Sequence, residues 1–597
     1  MKKIYFIPLA VFLTVAFIAC RDNLLDTKPY TAVSSETIWT TENLAQQAVT
    51  GMYNAFLQGN DGDQGLGNAN YVGKDAYIFS SFEPSVSARG NWSSTFALLS
   101  GSATPSSVEF STCWKQHYEG IARANDVIAN IENVKTMDAS LRARYLAEAK
   151  FLRAYFYYRL NALYRGVPLY LEPTVLEEFT KPRNTEAEVW EAIITDLTDC
   201  VNEPNLPDKY AQGDKNYGHA TKGAAYALRG KAYLWTKEYK KASDDFMKVT
   251  TMGYDLFQGD YKQLFKEANE QCNEMIFSIQ CTELDGYGNR MSLRYGSRTT
   301  RGSCWNDFYG STDFMDTYEW TDGKPFNWEE IIPGYTTMTP KERSVYFLRD
   351  NMDNSLITKM TTYGSDLSKY LSTGNEERIK SVYEQRDPRM MQTFITPYST
   401  YLGSPSGVEN TYTLRWPYVG YDAQEPFDFR SDSNTKFHYM VRKFVSEGNE
   451  LIYRQYSPID VPLIRYADIL LSLAEALNEQ GMTNEAIPYI NRVRERAGIA
   501  PLNSNQYTQV AGQDDLRKRI QKEKRWELAC EGVEYFDELR WGTWFESTMF
   551  EGAALKECWG TPVVEWLSVG AHSIIWPIPT AERQMNRNLT QNPGWMD

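Results

Sequence analysis

Three glutamates near the end of the chain have a spacing that could serve glycoside hydrolysis. Glu523, Glu527 and Glu531 are four residues apart, which places them on one face of a helix. Glycosidases use two carboxyl groups about 5–9.5 Å apart, one as an acid and the other as a base or nucleophile. Basic residues lie close to these glutamates in the sequence: Lys522, Lys524, Arg525 and Arg540. Because charged helix residues usually pair with such neighbours, we interpret the glutamates as structural ion pairs and keep hydrolysis by Glu523 and Glu527 as an alternative.

Motifs for other enzyme chemistry are missing from the sequence. The histidines are far apart and form no His-x-x-x-His pair for zinc: His117, His219, His438 and His572. A nucleophile elbow, a phosphate-binding glycine loop and a thiol redox motif are also absent. We predict that the protein is not an enzyme and has neither a metal nor a cofactor.

A helix from about residue 514 to Gly532 is needed to hold the three glutamates, and the sequence has the pattern of one. Apolar residues recur near helical spacing at Leu516, Ile520 and Leu528. An aspartate at position 514 or 515 can cap the start, and Gly532 is the expected end. The sequence therefore predicts an amphipathic helix that packs one face on a core.

Two other segments match the tetratricopeptide pattern of paired antiparallel helices. Residues 226–249 have the small and large residues of this repeat in order, with Gly230 and Ala242 where the helices touch, and residues 470–493 match more fully. Such pairs bury their faces only by stacking on neighbours. We predict a mostly α fold of tetratricopeptide-like helical pairs with short strands and a loop-rich cap; two unrelated helical hairpins are the alternative.

The charge balance limits the classes of ligand. The chain has 62 basic and 77 acidic residues, for a net charge of −15. A surface of this sign repels nucleic acid and other polyanions, so we predict no nucleic-acid partner and favour a neutral ligand.

The first nineteen residues have the pattern of an export signal. Lys2 and Lys3 precede a short apolar run that ends at Ala19, directly before Cys20. Residues 17–20 resemble a bacterial lipobox, which would make Cys20 a lipid-modified N-terminus and the protein lipid-anchored rather than membrane-spanning. Ordinary secretion is the alternative.

Seven further cysteines follow, which is an odd number for an exported chain. A disulfide among Cys272, Cys281 and Cys304 is allowed by their spacing, but a chain of this size does not need one to fold.

Four signatures occur in the order known from the SusD/RagB family of outer-membrane nutrient-binding lipoproteins. They lie at residues 24–39 (beginning LLDTKP), 457–479 (SPIDVPLIRYADILLSLAEALNE), 514–542 and 574–595. Together they cover most of the chain, with the middle third carrying least, and the chain resembles a member of that family. The resemblance implies the SusD-like fold, a lipid-anchored place in the outer membrane facing the cell surface, and a SusC-like TonB-dependent transporter as partner.

Aromatic residues on polar loops are the candidates for ligand binding. A pyranose ring stacks on Trp or Tyr, while Asn, Asp and Arg hydrogen-bond its hydroxyl groups. In the family that the chain resembles, ligand contacts come from two loop regions, which correspond here to residues 58–112 and 250–455. Our candidates from these regions are Tyr71, Asn91, Trp92, Tyr287, Arg294, Tyr295, Trp305 and Trp320. For any one ring, packing in the core is the alternative, and we expect at least two to bind ligand.

These expectations divide the chain into four parts. Residues 1–19 are the signal peptide, 20–250 an N-terminal helical part with the first repeat, 251–455 the ligand-binding region and 456–597 a C-terminal part with the second repeat and the signature helix. We predict capture of an oligosaccharide and its delivery to the transporter. A peptide ligand is the alternative within the same class of binding protein.

Overall fold

The structure is a computed structural model. It describes residues 38–58, 69–90, 94–174, 178–420, 425, 427–431 and 434–596.

Helices make up most of the regular structure, which confirms the predicted mostly α fold. Their bounds are α1 Glu42–Tyr53, α2 Tyr77–Ser80, α3 Ser94–Leu99, α4 Val108–Asn130, α5 Ala139–Tyr164, α6 Glu186–Asn202, α7 Lys222–Trp235, α8 Tyr239–Thr250, α9 Met291–Tyr295, α10 Thr312–Met315, α11 Trp328–Ile331, α12 Pro340–Arg343, α13 Asn354–Tyr363, α14 Asn375–Glu384, α15 Pro388–Thr393, α16 Tyr466–Glu479, α17 Thr483–Ala497, α18 Gln513–Leu528, α19 Glu534–Trp541, α20 Trp544–Ser547 and α21 Thr580–Met585. Polar side chains cap several of the long ones: Thr41, Asp138, Thr185 and Thr221 each accept a hydrogen bond from the first turn.

The strands are short. They are β1 Val86–Ala88, β2 Met275–Ile279, β3 Phe308–Gly310, β4 Phe394–Ile395, β5 Thr400–Gly403, β6 Asn410–Thr413, β7 Phe427–Asp428, β8 Tyr439–Val441, β9 Val461–Arg465, β10 Ala554–Lys556 and β11 Pro562–Glu565. The largest sheet has the order β1-β3-β8-β4 and is antiparallel throughout.

The long helices pack in a continuous series. Contacts run from α4 through α5, α6 and α7 to α8, and α8 then packs on α16, which contacts α17 and α18. The two predicted repeats are therefore real helical pairs, α7 with α8 and α16 with α17. At Gly230 an added Cβ would lie 2.4 Å from Cε1 of Phe246, so the first pair approaches closely where the sequence indicated.

The region between the repeats has the predicted loops and short strands, together with short helices that the sequence analysis did not predict. It is attached to the helical scaffold where β2 pairs antiparallel with β9, with Met275 opposite Arg465. The division of the chain into four parts stays a prediction.

The signature helix differs from its prediction at both ends. Helix α18 begins after Gly512 without a side-chain cap, although the carboxylate of Asp515 accepts a hydrogen bond from the amide of Ala511 at 3.0 Å. It ends at Leu528, four residues before the predicted stop at Gly532. The backbone turns at Cys530, where φ is +68°, because Glu531 leaves the helix to contact a buried arginine described below.

Seven cysteines lie in the described residues and all are free thiols, so the disulfide that the spacing allowed is not formed. Within those same residues, every helix is too short or too polar to cross a membrane.

Candidate functional site

The glutamates of the signature region are buried in an ion-pair network. Glu523 Oε2 lies 2.8 Å from Arg494 Nη1, and Glu527 Oε2 lies 3.0 Å from Arg389 Nη1. Glu527 Oε1 is 3.0 Å from Nη1 of Arg465 and also contacts Arg496. Glu531 Oε1 accepts from Arg465 Nη2 at 2.7 Å and from Lys443 Nζ at 2.6 Å. The structural interpretation is confirmed, but the expected partners were wrong, since all the cations come from distant parts of the chain.

The nearby basic residues have other partners. Lys524 Nζ lies 3.0 Å from Asp468, Arg525 pairs with Glu538 at 2.6 Å, and Arg540 bonds Glu475. Each joins two elements of the scaffold, and Arg540 also pairs with Asp537 one turn earlier in α19, at 2.7 Å.

The protonation of Glu527 also argues against glycoside hydrolysis. Burial by itself raises the pKa of this carboxyl, but the guanidinium groups of Arg496, Arg465 and Arg389 outweigh burial and hold its pKa well below the usual range. An acid catalyst needs a raised pKa, and a nucleophile must reach the substrate. Glu527 is ionised and inaccessible.

Two of the eight candidate ligand residues lie in the core. Tyr71 is fully buried, and its ring meets that of Phe79 edge-on at 6.2 Å. Tyr295 is also fully buried and packs edge-on against Phe308 beneath the main sheet. Neither ring has a face open to a ligand in this structure. Both are packed in the core, which is the alternative that the sequence analysis left open for any one ring.

A third candidate, Trp320, lies apart from the others. Its ring is 5.6 Å from that of Phe326, and its backbone bridges to Arg386. Asn91, Trp92 and the lipidation candidate Cys20 lie outside the described residues.

Trp305 and Arg294 are brought together by the edge of the main sheet. Antiparallel pairing of β1 with β3 sets Ala88 opposite Phe308, so that Arg89 follows beside Asp307. Asp307 then accepts from Nη1 of Arg294 at 2.7 Å and from Nη2 of Arg89 at 3.3 Å. The Arg294 guanidinium carbon lies 4.8 Å from the centre of the Trp305 ring, within the range of a cation–π contact. Arg294 is buried and therefore supports the tryptophan from below.

The turn that carries Trp305 has an unusual backbone. Gly302, Ser303 and Asn306 all have left-handed φ angles, of +73°, +58° and +58°. Residues with side chains adopt this region at a cost, and such strain is concentrated at functional sites. The strained turn leaves Trp305 half-buried rather than fully packed.

A loop that the sequence did not single out completes this surface. Arg454 donates from Nη1 to the carbonyls of Gly302 and Ser303 at 2.9 and 2.8 Å, and its guanidinium lies 5.7 Å from the Trp305 ring. Tyr453 beside it is 58 % exposed, and its ring centre is 6.4 Å from that of Tyr456. These tyrosines lie in a polar, glycine-containing loop, which is the signal that selected the other candidates.

The loop that carries Tyr287 lies against the Tyr453 loop. Glu283 Oε1 accepts from the amides of Ile452 and Tyr453 at 2.6 and 2.7 Å, and Asn289 and Ser457 exchange backbone hydrogen bonds. Tyr287 is 52 % exposed. We call the face formed by Tyr287, Trp305, Tyr453 and Tyr456 the aromatic surface.

No group of three or more His, Cys, Asp or Glu side chains in the described residues is arranged to hold a metal ion. The aromatic surface consists instead of rings, guanidinium groups and backbone amides, which suits a neutral ligand with hydroxyl groups.

Comparison with known proteins gives consistent results along the chain. Residues 273–595 match the family described as the SusD family, and residues 23–234 match the family described as "starch-binding associating with outer membrane". The SusD-like protein P25 of Formosa agariphila is 24% identical over 598 residues, with 99% of this chain and 98% of that protein covered.

A second relative and a solved structure agree. The starch-binding protein SusD of Bacteroides thetaiotaomicron is 24% identical over 485 residues, which are 78% of this chain and 75% of that protein. A crystal structure of a SusD-like carbohydrate-binding protein from Bacteroides fragilis is 23% identical, with a TM-score of 0.70 over 93% of this chain and 100% of that chain. That likeness shows a shared fold.

Proposed function

Since this chain belongs to the SusD family, we propose that it is a non-catalytic glycan-binding protein of the outer membrane that captures oligosaccharides on its aromatic surface. We propose further that Cys20 carries the lipid anchor and that captured glycan passes to a SusC-like TonB-dependent transporter. Support for the ligand class comes from the starch-binding and carbohydrate-binding relatives.

The observation that carries the proposal is the aromatic surface itself. Tyr287 and Tyr453 are each more than half exposed on loops that hydrogen-bond to one another, and Arg454 joins Trp305 to the same unit. Exposed rings held by a rigid hydrogen-bonded backbone lose little entropy when a sugar stacks on them. The guanidinium group of Arg454 beside Trp305 can orient its hydroxyl groups.

The test is calorimetric titration of the full-length protein in mild detergent with neutral oligosaccharides such as maltoheptaose, laminarihexaose and xylohexaose, with acidic oligosaccharides and mixed peptides for comparison. Binding of one glycan class should weaken at least tenfold, about 1.4 kcal/mol, in Trp305→Ala and Tyr453→Ala. Trp320→Ala and Tyr507→Ala are matched controls, because Trp320 lies apart and Tyr507 is exposed on the loop that follows α17. Both controls should bind as the wild type does.

Binding of the peptides, without binding of any glycan, would show that the ligand is a peptide and not an oligosaccharide. Equal loss of binding in the controls would refute the assignment of the site.

A further inference from the structure

A cavity of about 510 Å³ opens beside Tyr287. Its walls come from helix α1, from the turn at residues 217–219 and from strand β2, whose residues are buried and form its base. This volume lies within the roughly 300–1,000 Å³ of small-molecule sites. The aromatic surface is open and can follow a chain of sugars, whereas a cavity with a base admits only an end.

One wall of the cavity presents a fixed imidazole. Nδ1 of His219 lies 2.7 Å from Oε2 of Glu148, and the hydroxyl of Tyr53 donates to the same oxygen at 2.9 Å. Glu148 is completely buried, and Arg144 lies 3.2 Å from its other oxygen. Because this contact occupies Nδ1, the other ring nitrogen, Nε2, points away from Glu148. His219 is therefore held in one orientation, with one nitrogen left for a ligand.

The base of the cavity holds a buried hydroxyl without a partner. Ser278 is 5% exposed, and its Oγ makes no hydrogen bond within the described residues. The hydroxyl of Tyr210 is likewise unpaired there, in a chamber of about 20 Å³ that adjoins the cavity and has room for one water molecule. Both oxygens are enclosed by the protein, so they lie behind the cavity wall and do not themselves contact the open cavity.

We propose that this cavity receives the terminal sugar unit of an oligosaccharide whose following units lie on the aromatic surface. The inference rests on the proposed function for its ligand class. Tyr287 lines the cavity and is also part of the aromatic surface, so it joins the two sites. Inside, the rings of Tyr217 and Tyr287 offer apolar contact to a pyranose, while Nε2 of His219 meets one of its hydroxyl groups.

Gly51 provides a way to close the cavity without disturbing the fold. It lies on the cavity wall in helix α1, and a Cβ added there would meet no heavy atom within 4 Å. Gly51→Trp should fill the opening, and Gly51→Ala is the matched control because it makes the same backbone change without the bulk. Saturation-transfer NMR of the full-length protein in detergent, with D-glucose, D-galactose, D-mannose and D-xylose, measures occupancy by single sugars.

We expect at least one of these sugars to bind the wild type and Gly51→Ala, and to bind Gly51→Trp at least tenfold more weakly. A wild type that binds none of the four sugars, or equal binding by both Gly51 variants, would show that the cavity holds only water and overturn the inference.

The two proposals fail separately. Trp305→Ala should lose the oligosaccharide and keep the single-sugar signal. If oligosaccharides bind and Gly51→Trp has no effect on the sugars, the aromatic surface stands and the cavity proposal falls. If single sugars bind the cavity and no oligosaccharide binds, the cavity is a sugar site, but the proposed function falls and with it the extension of the ligand onto the aromatic surface.

Discussion

Glutamine in place of Glu527 should destabilise the protein without affecting any chemistry. The carboxylate lies 3.0 Å from both Arg389 and Arg465, also contacts Arg496, and is completely buried with them. Glutamine keeps the shape but removes the charge, so the arginines lose a shared counter-ion. Breaking a buried ion pair from one side costs about 3–5 kcal/mol.

That cost can be converted into a change of melting temperature. The entropy of unfolding is about 2.1 cal/mol/K per residue, which gives about 1.25 kcal/mol/K for a cooperative chain of 597 residues. We therefore expect Glu527→Gln to lower Tm by about 2–4 °C at pH 7, measured by calorimetry.

The effect should depend on pH in a defined direction. The pKa of Glu527 is lower in the folded protein than the ordinary value of 4.5, so its contribution is complete above pH 4.5 and is lost as the pH falls towards the folded value. The difference between variant and wild type should therefore narrow at pH 3.5.

Glu551→Gln is the control, since Glu551 is exposed. An unchanged Tm for Glu527→Gln, or equal shifts in both variants, would refute the account of the network. Glycan turnover that Glu527→Gln abolishes would instead restore the hydrolase alternative.

Three further variants test burial and packing. Burial raises the pKa of Glu109 to about 8, and neither of its oxygens has a hydrogen-bond partner in the described residues. Between pH 4.5 and about 8, Glu109 is ionised in the unfolded chain but protonated in the folded protein, so its ionisation increasingly opposes folding as the pH rises. Glu109→Gln should thus raise the free energy of unfolding at pH 7 by up to about 3 kcal/mol, and this gain should vanish at pH 4.5. Urea unfolding at both pH values measures it. An equal gain at the two pH values would contradict the prediction. Gly230→Ala should lower the free energy of unfolding by about 1–3 kcal/mol because its Cβ would meet Phe246. Gly51→Ala should instead raise it by about 0.5–1 kcal/mol. Equal effects of the two variants would contradict the close contact between the helices at Gly230.

The helical scaffold could be predicted because its information is local. The order of small and large residues around Gly230 and Ala242 describes a contact between two helices that follow one another in the chain. The ion-pair network could not be predicted in the same way. Glu527 is 62 residues from Arg465 and 138 from Arg389, and only the tertiary fold decides which cation reaches it.

The candidate site shows the same limit. A polar loop rich in rings indicates ligand binding, but sequence does not distinguish the exposed Tyr287 from Tyr295, which is buried eight residues later beneath the sheet. Tyr453 was missed although its loop has the same composition. The residues that the sequence analysis proposed as ligand contacts remain predictions until binding is measured.

Arg465 pairs with glutamates that lie far from it on both sides in the sequence, and this affects when the core can form during synthesis. Its guanidinium is neutralised by Glu274, which is made earlier, and by Glu527 and Glu531, which are made more than sixty residues later. A nascent chain that collapsed before Glu531 emerged would bury cationic groups without their counter-ions, at a cost of several kcal/mol. We therefore expect the core around Arg465 to close only after Glu531 has been made, late in synthesis.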